Sequence, residues 1–97
     1  MSEQSKSVKL YCRHGGSDKQ YNIYLEQVGD LWLTRAENGR RGSTLTPQWP
    51  MGQVAADYET ADKAFETTLK KKLKDYTEDA EGKPLYPGVQ VTIGNET

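Results

Sequence analysis

The sequence predicts an α+β fold in which an antiparallel sheet of four to five strands carries one main amphipathic helix. Three observations predict it. Two segments before residue 37 alternate apolar and polar side chains with period two, and a third is rich in β-formers. Residues 61–76 instead place apolar side chains every three or four positions. Glycine- and proline-rich stretches separate the segments. Ninety-seven residues, 34 % hydrophobic and 28 % charged, provide for one modest core and therefore one domain. The aromatics are one Phe against six Tyr and two Trp, rings suited to a thin layer packed at one end and wet at the other.

In order along the chain, residues 1–7 are polar and read as a flexible N-terminus. Val8, Leu10 and Cys12 alternate with Lys9, Tyr11 and Arg13 and form the first strand. His14-Gly15-Gly16-Ser17-Asp18 is a turn or loop. Tyr21, Ile23 and Leu25 against Asn22, Tyr24 and Glu26 give the clearest strand signal. Gly29-Asp30 reverses the chain into Leu31–Ala36, a third strand rich in β-formers. Asn38-Gly39-Arg40-Arg41-Gly42-Ser43 follows as a glycine turn bearing paired arginines. Thr46–Gly52 contains two prolines and a glycine and reads as a loop or edge connection, and Gln53–Asp57 as a short strand leading into the helix. Thr60 is the expected N-cap. Ala61, Phe65, Leu69, Leu73 and Tyr76 line one helix face, with acids early and Lys70, Lys71, Lys72 and Lys74 late, as the helix dipole favours. Residues 78–84 read as a solvated linker, and 89–93 as a possible last strand in an acidic C-terminal tail spanning 78–97.

The net charge of −1 excludes a polycation that wraps nucleic acid, but the charge is unevenly placed. Residues 1–77 carry 12 Lys/Arg against 10 Asp/Glu, and residues 78–97 one Lys against four acids. The single Cys12 excludes an internal disulfide framework, and no stretch reads as a signal peptide or a membrane span. A cytoplasmic monomer with no membrane association is the expectation. Cys12 and His14 lack further ligands at metal-binding spacing, and no nucleophile–base or paired-carboxylate arrangement stands out. The chain is therefore expected to be non-enzymatic and to need no cofactor or metal.

The richest chemistry lies in residues 38–43. Glycine permits φ > 0 and close approach, and two adjacent guanidinium groups suit an anion such as a phosphate. Together with Leu10-Tyr11-Cys12-Arg13, Asp57-Tyr58-Glu59-Thr60-Ala61 and the closing Lys74-Asp75-Tyr76-Thr77, this run resembles the WGR domain over residues 8–77. That module occurs in DNA-dependent poly(ADP-ribose) polymerases and as small stand-alone bacterial proteins, the branch to which the likeness is nearest. The resemblance implies a strongly bent antiparallel sheet with one helix against it. It further implies a site at a DNA strand end, where the signature Arg and a Tyr past the helix hold a phosphate while the signature Trp packs on sugar or base. Carried over by position, Gly39 and Arg40 are retained and Tyr76 fills the tyrosine slot. Asn38 stands where the Trp would be, and Asp75 where glycine is common.

The function expected from these residues is nucleic-acid binding, at a DNA phosphate or strand end, through Asn38, Gly39, Arg40, Arg41, Lys74 and Tyr76. Against it stands an arginine paired with an acid such as Glu37 and a lysine run that only solvates the helix end. The alternative function is a protein–protein interaction or accessory module that has lost DNA binding, with the acidic tail as its contact. Trp49, between prolines, can replace the missing stacking group, anchor a protein partner or fold back over the sheet.

Overall fold

The computed structural model describes residues 4–14, 17–79, 81–85 and 91–93. They form β1 (Lys6–His14), β2 (Ser17–Val28), β3 (Leu31–Arg40), β4 (Thr46–Gln48), helix α1 (Tyr58–Lys72) and β5 (Thr92–Ile93). Every strand pair is antiparallel, in the order β4-β3-β2-β1-β5, and the open sheet carries α1 on one face. The α+β fold read from the two periodicities is the one observed.

Alternation sorts the side chains as expected. Val8, Ile23 and Ala36 lie on one rung, with Leu10 and Tyr21 on the next; all are buried, and they face Ala61, Phe65 and Leu69 of the helix. Phe65 is fully enclosed at the centre, where a side chain of its size contributes about 1.5–3 kcal/mol of burial. A polar tie orients the helix on this layer: the buried Thr34 hydroxyl donates to the Ala61 carbonyl at 2.6 Å. Lys6 forms a second tie from β1, pairing with Asp62 and Glu66 while its Nζ stands 5.2 Å from the Phe65 ring centroid. Burial alone would lower its pKa, but the hydrogen bond and charge of Asp62, with Tyr58 and Glu66, outweigh that and raise it.

Several local expectations are corrected. Lys6 and Ser7 belong to β1, because both pair with β2 and β5, so ordered structure reaches into the expected flexible N-terminus. Asn38-Gly39-Arg40 is strand rather than turn: cross-strand pairing with Tyr21, Gln20 and Lys19 carries the ladder on to Arg40. The chain turns at residues 41–43, where Gly42 has φ 85° and Ser43 N–H donates to the Arg40 carbonyl. Gly39 is small for a different reason. A Cβ there would meet Leu45 Cδ2 at 3.2 Å, so the glycine lets the returning chain fold over β3. The N-cap is Asp57, whose carboxylate accepts from the Thr60 N–H at 3.3 Å and from the Thr60 hydroxyl at 2.6 Å. These hydrogen bonds, chiefly that from the Thr60 hydroxyl, lower the Asp57 pKa. In place of a strand at 53–57, only Ala56 pairs, exchanging two backbone hydrogen bonds with Trp32 at 2.6 and 2.7 Å.

The segment after the helix is not a free spacer. Glu78 exchanges both backbone hydrogen bonds with Tyr11 at the outer edge of β1, and the Leu85 N–H donates to the Thr77 carbonyl. Asp79 closes a turn by accepting from the N–H groups of Glu81 and Lys83, both at 2.9 Å. Leu85 and Val91 pack on the core. Of the last strand expected over 89–93, Thr92 and Ile93 pair with Ser7 and Lys6, and residues 89 and 90 lie outside the described residues. No described helix is long and apolar enough to cross a membrane.

Candidate functional site

The six residues named for the site do not form one cluster. Register decides their placement. Trp32, Thr34 and Ala36 face the helix, so alternation carries Asn38 and Arg40 onto the same face, opposite Tyr21 and Lys19. Arg41 takes the other side: its guanidinium lies 4.6 Å from the ring centroid of Tyr11, a residue that alternates with the core-facing Leu10. The paired arginines therefore diverge across the sheet. Tyr76, just past the helix, packs on the helix side with its ring 5.4 Å from that of Tyr21. Tyr21 is the partner of Asn38 on β3, so Asn38 and Tyr76 approach the same point and exposed Arg40 stands one rung beyond. Gly39 sits between Asn38 and Arg40 with its missing side chain toward Leu45. Lys74 is exposed in the turn after the helix.

A concavity begins at this point. A groove of about 500 Å³ runs between α1 and the β4 edge, with Tyr21 contributing to its floor. One wall is a helical stripe next to the apolar one, built from Lys63, Thr67 and Lys71 at four-residue spacing and from Thr60, Ala64, Thr68 and Lys72 beside them. The other wall is Gln48, Trp49 and Pro50. Gln48 Nε2 donates to Asn38 Oδ1 at 3.0 Å, which joins this wall to the strand residue that fills the tryptophan slot of the resemblance. Lys72 Nζ stands 4.9 Å from the Tyr21 ring centroid, a cation–π contact at the groove's inner end. Burial, and then the neighbouring Tyr76, raise the Tyr21 pKa, so its hydroxyl remains a donor at neutral pH. Three lysines and no carboxylate line the groove among the described residues. Asp57, the helix cap, lies at the Thr60 end, so the positive charge concentrates toward Lys71 and Lys72.

The Trp49 wall is held in place. Pro47 pairs opposite Glu37 on the sheet edge, and the Gly52 N–H donates to the Trp49 carbonyl in a turn where Gly52 has φ 76°. Met51, packed on the core, accepts the Thr34 N–H on its sulfur at 3.2 Å. Trp49 is thus an exposed indole, at 39 % exposure, on an anchored turn, while Trp32 is buried.

The opposite sheet face spends its charges internally. Gln20 Nε2 donates to the Tyr11 hydroxyl at 3.3 Å and to Asn22 Oδ1 at 2.9 Å, and Asn22 Nδ2 donates to Glu37 Oε2 at 3.0 Å. The Tyr24 hydroxyl donates to the same oxygen at 2.8 Å. Hydrogen bonds from Asn22 and then Tyr24 hold the Glu37 pKa below the usual carboxylate range. Arg35 lies 4.3 Å from the Tyr24 ring centroid and grips Glu26 with two hydrogen bonds at 2.8 and 3.2 Å. Arg35 there has both a carboxylate and an aromatic partner, whereas no ion pair joins Lys63, Lys71 or Lys72 of the groove to a carboxylate among the described residues.

Sequence reasoning singled out the lysine run at the helix end and Trp49 separately, but did not join them. It missed Gln48 and Lys63. The available signal was the row Lys63, Thr67, Lys71, a polar stripe beside the apolar one. Comparison with protein-family models, with curated proteins and with solved structures finds no match.

Proposed function

We propose that this chain is a non-catalytic, WGR-like module that binds nucleic-acid phosphates on the helix-bearing face of its sheet. The observation that carries the reading is the acid-free groove lined by Lys63, Lys71 and Lys72, whose inner end adjoins Tyr21, Tyr76 and Asn38. Arg40 and Lys19, a rung beyond on the same face, extend the positive track past the helix end. Aromatic rings among cations that no carboxylate neutralises are the usual composition of a surface that follows a phosphate backbone. Arg41 serves the Tyr11 face in this reading and is not a phosphate contact. The order of elements and the Gly39-Arg40 and Tyr76 matches to the WGR pattern support the same ligand class.

The test is titration of fluorescently labelled DNA, with and without a 5′ phosphate, into the 97-residue chain at 20 and 200 mM salt. Binding that weakens steeply with salt, with NMR shifts at Lys63, Lys71, Lys72 and Tyr76, is the expected result. Absence of shifts at those positions at 20 mM salt would refute the reading.

A further inference from the structure

We infer that the groove between α1 and β4 takes a single strand of nucleic acid, with one unpaired base stacked on Trp49; the inference rests on the phosphate-binding reading above. Its grounds are the geometry of the two walls. Lys63 and Lys71 are eight residues apart, about 12 Å along the helix axis, so they form a short cationic rail. Lys72 lies beside Lys71 and continues the rail toward Tyr21. Across the groove, the anchored turn after β4 presents a half-open indole with Pro50 beside it. A ligand lying between rail and indole meets cations on one side and a π-face on the other.

A single strand has that amphipathic cross-section, with phosphates along one edge and unstacked base faces along the other. A duplex does not, because its base faces are occupied by neighbouring pairs except at the ends. A polyanion without bases would engage the lysines and leave Trp49 unused. The two walls also offer hydroxyl and amide groups, from Thr67 and Gln48 respectively, that hydrogen-bond any base or sugar without selecting one. Tolerance of sequence follows, since stacking and phosphate contact read no base edge. Trp49 also compensates, from the turn after β4, for the stacking group that Asn38 cannot supply from β3.

The two tryptophans make the test direct. Trp32 is 2 % exposed, so ligand-induced quenching of indole emission reports Trp49. A dT12 oligonucleotide, a 5′-phosphorylated hairpin duplex and polyglutamate are titrated at low salt, with Trp49→Ala and Trp49→Phe alongside. The expected result is quenching by dT12, tighter binding of dT12 than of either other probe, at least ten-fold weaker dT12 binding by Trp49→Ala, and substantial recovery in Trp49→Phe. Retained Trp32 emission and an unchanged melting temperature show that both variants are folded. Tighter binding of the duplex with no quenching would overturn the single-strand inference and leave the phosphate-binding reading standing. Equal binding of polyglutamate would overturn it in favour of a general polyanion site. No binding of dT12 or the duplex at low salt would remove both readings.

Discussion

Removing the Glu37 carboxylate should destabilise the fold through the residue it leaves behind. Glu37 Oε2 accepts from Asn22 Nδ2 and from the Tyr24 hydroxyl, and Asn22 is only 3 % exposed. In Glu37→Ala the half-buried Tyr24 hydroxyl can turn to water, but the Asn22 amide keeps a buried donor with no acceptor. Orphaning such a group costs about 1–3 kcal/mol, so a loss near 2 kcal/mol is expected, with little change from Tyr24. With a urea dependence on the order of 1–3 kcal/mol per molar for a domain of this size, the unfolding midpoint falls by roughly 1 M. Buried Trp32 supplies the fluorescence signal. Glu37→Gln keeps an acceptor oxygen and loses only the charge assistance, so it should fall between wild type and alanine. The same pair tests the pH dependence. Because the native state lowers the Glu37 pKa, the unfolded chain binds more protons as acid is added. The contribution is therefore complete above the ordinary Glu value, about 4.3, and is lost as pH falls through the lower native value. Glu37→Gln should show a shallower acid loss. If Glu37→Ala unfolds within about 0.5 kcal/mol of wild type, the Asn22 amide is not held by this carboxylate.

Three further outcomes follow from the same structure. Lys63, Lys71 and Lys72 together should give dT12 binding a log–log salt slope of about −2, with each lysine-to-glutamine change reducing its magnitude by about 0.7; a slope that ignores all three would place the phosphates elsewhere. Thr34→Val should cost about 1 kcal/mol in urea unfolding, since it removes the 2.6 Å hydrogen bond to Ala61 while keeping the side-chain volume. Deleting residues 78–97 should lower the melting temperature and increase hydrogen exchange at the Tyr11 amide, because the Glu78 bridge and the Leu85 and Val91 packing go with them; an unchanged Tyr11 amide would show that the tail contributes nothing to the β1 edge.

The fold was legible where one physical signal dominated. Period-two alternation through Tyr21, Ile23 and Leu25, and the Ala61–Phe65–Leu69 stripe, each reflect one buried face, and both elements stand as read. Strand ends were less legible, because pairing across the ladder is a tertiary effect. Nothing local in Asn38-Gly39-Arg40 distinguishes a turn from a strand, and Lys19–Tyr21 supply the partners that decide it. The helix start was read three residues late for a similar reason. Thr60 is a competent cap, but its hydroxyl serves Asp57, which does the capping. The paired arginines misled most. Arg40 ends the strand on the helix-bearing face, whereas Arg41 begins the turn and lies over Tyr11 on the other face, so neighbours in sequence are apart in space. Conversely, Trp49 and Lys71, 22 positions apart, line one groove because β4 folds back along β3 beside the helix.

The two margins of the sheet bear on what kind of partner this molecule can recruit. An uncapped strand invites another chain to add its backbone, a mode indifferent to the sequence it captures. Here Glu78, Thr92 and Ile93 occupy parts of the outer margin of β1, and on the far side β4 is three residues long with Pro47, which has no N–H, at its centre. Main-chain capture is thereby discouraged at both margins, and the acidic tail acts as a selvedge, a finished border that keeps the weave from joining another. Recognition is left to side chains projecting from the faces, where replacing a single lysine or indole can retune what is bound without disturbing the sheet.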